Sequence, residues 1–213
     1  MKYLLSIFTL LILSCKSNSE FLTSTSKDLS GIDINNIELL DSLLNSFEGE
    51  TIDKVYYAIT NHPDDKFNYE GFHLCDQAVI IKTKNNKWLN WVWVEEGIYG
   101  EPDLILAIGD KRKKFTNDYW STIIDVTYSD DWNSIQNKEI KKIEYNVLTE
   151  GDKNYLSDLR FNINNNFVTI SAIAEPDTYL LPEINSLEYE RNWTIIIFDD
   201  SILSKYGRIL KSN

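Results

Sequence analysis

"LNSFEGETIDKVYYAI", residues 44 to 59, returns as "WNSIQNKEIKKIEYNV" at residues 132 to 147, an offset of 88 positions. Asn45/Asn133, Ser46/Ser134, Ile52/Ile140, Lys54/Lys142 and Tyr57/Tyr145 are identical, and Phe47/Ile135, Glu48/Gln136 and Val55/Ile143 keep their character. The match extends to conformation. Gly49 and Asn137 fall at one place, just past an apolar turn. They are the two residue types that best accept the left-handed backbone ending a helix.

Downstream the alignment continues with altered spacing. "LCDQAVII" from Leu74 pairs with "LSDLRFNI" from Leu156, "KWLNWVWVEE" from Lys87 with "NFVTISAIAE" from Asn166, and "DLILAIGD" from Asp103 with "WTIIIFDD" from Trp193. Between the first and second of these runs stand Asn85-Asn86 in one half and Asn164-Asn165-Asn166 in the other, the chemistry of a tight hairpin turn. Ile37, Leu40, Leu43, Leu44 and Phe47 lie at helical spacing and predict an amphipathic helix of about three turns. Its counterpart, Asp130 to Gln136, is barely two turns, with Ser129 as N-cap. The pattern therefore predicts an α+β fold of internally duplicated helix plus mostly antiparallel sheet units that share a core.

Three of six tryptophans fall in "NNKWLNWVWVEEG", residues 85 to 97. On a strand Leu89, Trp91 and Trp93 share one face, while Trp88, Asn90, Val92 and Val94 share the other. Neither face is polar throughout, as expected of a strand covered on both sides. The aligned residues Phe167, Val168, Ile170 and Ala172 are all apolar, which favours a core role over a ligand platform. Trp93, aligned with small Ala172, is the member of the group best suited to binding.

The N-terminus, "MKYLLSIFTLLILSCKSNSE", has a basic start at Lys2, an apolar run from Leu4 to Leu13, then Ser14 and Cys15. That run is about half the ~20 residues a membrane-spanning helix needs and reads as a signal peptide. Ile12-Leu13-Ser14-Cys15 resembles the lipobox of bacterial lipoproteins, with Leu13 departing from its preferred second residue. The resemblance implies cleavage before Cys15 and acylation of that cysteine. Lys16 after it, rather than aspartate, implies an outer-membrane destination. Acyl chains anchor durably when several act together, at ~0.8 kcal/mol per buried methylene.

The expected organisation is a signal peptide (1–14), the acylated Cys15 with a Ser/Thr-rich tether (15–31), a first unit (32–110), a connector (111–128) and a second unit (129–213). Fully extended, ~15 tether residues reach roughly 50 Å. Cys75 is the one cysteine left, so no internal disulfide is expected and its thiol should be buried. Net charge is −12, and loss of Lys2 with the signal peptide makes it −13. Such a balance disfavours nucleic acid as a partner and suits a basic protein.

Chemistry-bearing residues cluster in "NHPDDKFNYEGFHLCD", where His62, Asp64 and His73 are candidate metal ligands. Eleven positions separate the histidines, a spacing of no established metal signature, and an ordinary polar loop between strands is the favoured reading of the segment. Asp76 aligns with Asp158, whereas neither histidine has a counterpart. Lys111-Arg112-Lys113-Lys114 is the strongest basic run, either a solvated loop or a contact for lipid headgroups or an acidic partner. No G-x-S-x-G, H-E-x-x-H or phosphate-cradling loop is present, and no cofactor is expected. The expected function is a membrane-anchored lipoprotein of the cell envelope that binds a protein, as an inhibitor or immunity factor would. The alternatives are a metal-assisted hydrolase at His62 and His73, or a glycan binder using tryptophan.

Overall fold

The two aligned turns close on each other. In a computed structural model that describes residues 37–60, 67–95, 102–109, 121–150, 153–173 and 193–205, Gly49 and Asn137 both adopt positive φ, 79° and 63°. A residue with a Cβ pays roughly 1–2 kcal/mol for this, which glycine avoids and asparagine tolerates. Each then donates its amide across the repeat, Gly49 to the Ile140 carbonyl at 2.8 Å and Asn137 to the Ile52 carbonyl at 3.1 Å. The return bonds run from Ile140 N to Glu50 O at 2.8 Å and from Ile52 N to Lys138 O at 3.3 Å. Thr51 and Glu139, again aligned residues, form the bridge between them. The contact has the self-complementary form of a two-fold interface, built within one chain.

From this crossing run α1 (Ile37–Asn45), β1 (Ile52–Thr60), β2 (Asn68–Tyr69), β3 (Phe72–Cys75), β4 (Ala78–Thr83), β5 (Trp88–Glu95), β6 (Pro102–Gly109) and β7 (Ser121–Asp125). The second half supplies α2 (Asp130–Ile135), β8 (Ile140–Glu150), β9 (Lys153–Ile163), β10 (Asn166–Ile173), β11 (Trp193–Ile197) and α3 (Asp200–Lys205). Five strands form one sheet in the order β6-β5-β4-β1-β7, and six form another in the order β2-β3-β11-β10-β9-β8. All their pairings are antiparallel. The asparagine turns act as expected: Asn86, Asn164 and Asn165 all have positive φ, where the β4-β5 and β9-β10 hairpins reverse.

One apolar core is shared by both sheets. Val55, Tyr57, Val79, Ile81, Leu89 and Trp91 come from the first, Leu159, Phe161, Val168, Ile170 and Ile196 from the second. Leu40, Leu44 and Phe47 of the α1 segment and Trp132 and Ile135 of α2 complete it. Full burial of a side chain of this size contributes ~1.5–3 kcal/mol.

The expected α+β class does not hold. Strands dominate the described residues, and the helices are segments of nine, six and six residues, too short to cover a sheet. Side chains of both sheets make up most of the apolar core, and the short helices add only a few. Nor are the halves self-contained. The run read as one strand, "LCDQAVII", breaks at Asp76-Gln77, so that β3 pairs with β11 in the second sheet while β4 pairs with β1 in the first. At the aligned place β9 merely bulges: Asn146 faces Asp158, Val147 faces Leu156, and Ser157 is the extra residue. The segment 111–128, expected as a connector, contains β7, which pairs with β1. Ser129 stands at the N-cap of α2 but makes no side-chain cap bond.

Gly49→Ala is expected to cost about 1–2 kcal/mol, all of it conformational, because a Cβ there would meet nothing within 4 Å. Asn137→Gly should leave stability within a few tenths of a kcal/mol. Urea denaturation of the two variants checks this, and equal stability of Gly49→Ala and the parent would remove the left-handed closure from the account.

Candidate functional site

The one described member of the predicted metal set, His73, lies in a strand rather than a loop. In β3 it pairs with Ile196 on one side and Asn68 on the other, and it is fully buried. Phe67, Tyr57 and Phe198 set ring edges or faces around it at centroid distances of 6.0, 5.7 and 4.9 Å. His62 and Asp64 lie outside the described residues, as do Cys15 and Lys111, Arg112, Lys113 and Lys114. Among the described residues no group of three or more His, Cys, Asp or Glu side chains could hold a metal ion.

Both nitrogens of His73 are engaged. The Trp132 indole, which can only donate, gives its N–H to the Tyr57 oxygen at 2.6 Å. The Tyr57 hydroxyl then donates to His73 Nδ1 at 2.9 Å, which leaves the ring proton on Nε2 to reach Asp131 Oδ2 at 3.1 Å. Donation thus runs Trp132, Tyr57, His73, Asp131, from closed core to a carboxylate about 29% exposed. Burial lowers the proton affinity of His73 and Asp131 opposes it, with a net shift below 6.5. Burial pushes the Tyr57 hydroxyl well above its ordinary range. Carboxylate, imidazole and hydroxyl in line are the parts of a proton relay. Here the hydroxyl belongs to a residue with no exposed surface, so the chain fastens β1, β3 and α2 together.

The tryptophans are fastened too. Trp91 and Trp93 both donate their indole N–H to Thr194 Oγ of β11, each at 3.0 Å. Trp93, half-buried, therefore clasps the two sheets through its indole N–H. Trp88 lies on the opposite side of β5, stacked on Tyr56 at 6.5 Å. Cys75 is enclosed as expected, donating to the carbonyls of Ala58 and Ala78, and burial pushes its thiol far up. A second polar knot was not legible beforehand: buried Asp158 accepts from Ser171, from Ser157 at 2.7 Å and from Asn146 at 3.4 Å.

Among the described residues β6, β7, β2 and β8 stand at the edges of the two sheets. β8 is the outermost strand of its sheet, and its Ile143 amide turns away from β9 to the Glu48 carboxylate at 2.8 Å. Tyr145 is half-buried and donates its hydroxyl to Asp41 at 2.7 Å; burial, then that hydrogen bond and the Asp41 charge, push its ionisation up to about 12. Lys141 and Lys142 are exposed along this strand, and Lys142 pairs with half-buried Glu144 at 2.8 Å. Among the described residues no strand lies along its outer side.

Comparison with protein-family models, with curated proteins and with solved structures finds no match for this chain. The site residues missing from the sequence reading, Tyr57, Asp131 and Trp132, come from separate segments that only folding brings together. Their one sequence signal was the repeated Tyr57/Tyr145 pair.

Tyr57→Phe removes the hydroxyl that serves two buried ring nitrogens and should cost ~1–3 kcal/mol for each group orphaned, read from urea unfolding. A pH dependence follows from His73. Its folded-state proton affinity lies below the unfolded value of 6.5, so its contribution is whole above that pH, falls as the pH drops, and is fully lost once the lower folded value is passed. Urea midpoints taken from about pH 8 to about pH 5 should decline over that window, and His73→Gln should flatten the decline. A slope unchanged by the substitution would assign it to other groups.

Proposed function

We propose that this chain is a membrane-anchored lipoprotein of the cell envelope whose task is to bind another protein, in the manner of an inhibitor or immunity factor. The observation that carries the reading is the edge strand β8, eleven residues long, with no strand along its outer side among the described residues and with exposed lysines, on a chain of net charge −12. Sheet edges offer unpaired amides and carbonyls and are common sites of protein recognition. The internal commitment of His73, Trp91 and Trp93 supports recognition at the surface over chemistry in the core. The lipobox-like Ile12-Leu13-Ser14-Cys15 and the polar tether suit a domain held at a membrane while its surface meets a partner.

Two measurements test this. Metabolic labelling with a palmitate analogue should mark the full chain, and Cys15→Ala should abolish both the label and recovery in the membrane fraction. The soluble form from Lys16 to Asn213 should retain an envelope protein at low salt and release it near 1 M salt, where screening shortens to roughly 3 Å. Retention of nothing at low salt would overturn the binding role; label persisting in Cys15→Ala would overturn the anchor.

A further inference from the structure

The donation chain from Trp132 to Asp131 has a place for every proton and for no more. We propose that α2 is a proton-operated latch, which lets go of β1 when His73 is protonated while the two sheets stay joined. With neutral His73 every donor has its acceptor. The Trp132 indole N–H meets the Tyr57 oxygen at 2.6 Å, the Tyr57 hydroxyl meets His73 Nδ1 at 2.9 Å, and His73 Nε2–H meets Asp131 Oδ2 at 3.1 Å. Imidazolium has two N–H groups and no acceptor. Its added Nδ1–H points at the Tyr57 oxygen, which already receives the indole, so three protons crowd one oxygen and its own is left over. Among the described residues the Tyr57 hydroxyl has no other hydrogen-bond partner, and the residue is 0% exposed.

The groups around His73 leave that proton no other outlet. α2 brings Asp131 and β1 brings Tyr57, while Cys75, two residues along β3, gives its thiol proton to the carbonyls of Ala58 and Ala78. Phe67 and Phe198 close further sides with rings. Asp131 is the one charged group among the described residues that acts on the imidazole. Burial outweighs it and holds the proton affinity of His73 below 6.5, so the latch is shut at neutral pH and acid works it.

The element that yields is the one held by little else. α2 has six residues and no side-chain bond at its N-cap, and its side chains hydrogen-bond to the sheets through Asp131 to His73 and Trp132 to Tyr57. Gln136, its C-cap, adds a bond to the Asp53 carbonyl at 3.1 Å. The sheets are joined independently, by the rest of the shared core and by Trp91 and Trp93 on Thr194. Protonation strengthens the His73 contact with Asp131, which is 29% exposed, and disrupts the buried Trp132 contact. α2 therefore pivots about Asp131 and draws Trp132 outward. That bares the Phe198 ring, packed against the Trp132 ring at 5.1 Å, beside Tyr57. The result is an aromatic surface presented in acid and hidden at neutral pH.

The test is NMR on the full chain. Nitrogen shifts of His73 at about pH 8 should show the proton on Nε2 and none on Nδ1. Between about pH 7 and about pH 5 the exchange protection of the Trp132 indole N–H, corrected for its intrinsic rate, should fall roughly tenfold or more, while the Trp91 and Trp93 indoles keep theirs. His73→Gln offers Tyr57 an acceptor and Asp131 a donor but takes no proton, so Trp132 should stay protected throughout. Asp131→Asn keeps an acceptor for Nε2–H without the charge that favours imidazolium, and should move the fall to lower pH. A proton on Nδ1 at neutral pH overturns the latch. So does loss of protection at all three indoles together, which is global unfolding, or a fall that His73→Gln preserves or Asp131→Asn leaves in place.

Discussion

The crossing at Gly49 and Asn137 is the constraint from which the remaining architecture follows. Four backbone hydrogen bonds join the start of β1 to the start of β8, and each is the mirror of another 88 residues away. Once these strands are tied head to head, each helix lies against the opposite half. Trp132 of α2 reaches Tyr57 of β1, and Asp41 of α1 reaches the aligned Tyr145 of β8. Gln136 and Glu48, also aligned, reach the other half's backbone at Asp53 and Ile143. Neither half completes its own core, and the apolar cluster that results is continuous across both sheets.

On this shared frame the halves have diverged where polar groups are buried. In the first, Tyr57 is sealed and joined to His73 and Asp131; in the second, Tyr145 stays near solvent with Asp41. The second half has its own enclosed knot around Asp158. Its aligned residue, Asp76, instead sits where the chain leaves one sheet for the other. Buried polar networks of this kind are costly when incomplete and specific when satisfied, so they select one arrangement of strands over its close competitors.

Much of this was legible in particular residues. The asparagine turns, the alternation of Leu89, Trp91 and Trp93 and the enclosed Cys75 follow from local rules, because turn conformation and strand period are decided within a few residues. The class was not. Apolar spacing from Ile37 to Phe47 is a true helical signal, but it speaks to one segment and not to how much of the core that segment covers. The break at Asp76 and the bulge at Ser157 also look alike in sequence, since both begin as a Leu-x-Asp step in an apolar run.

The sequence by itself determined the repeat, the turns and the acidic balance, all properties of neighbours along the chain or of composition. Only tertiary structure decided which sheet β3 joins, that His73 is closed between Tyr57 and Asp131, and that Trp91 and Trp93 share Thr194. His73 and Asp131 are 58 residues apart, and Trp91 and Thr194 are 103 apart. A buried donor must find an acceptor wherever the folded chain places one, and no local pattern encodes that distance.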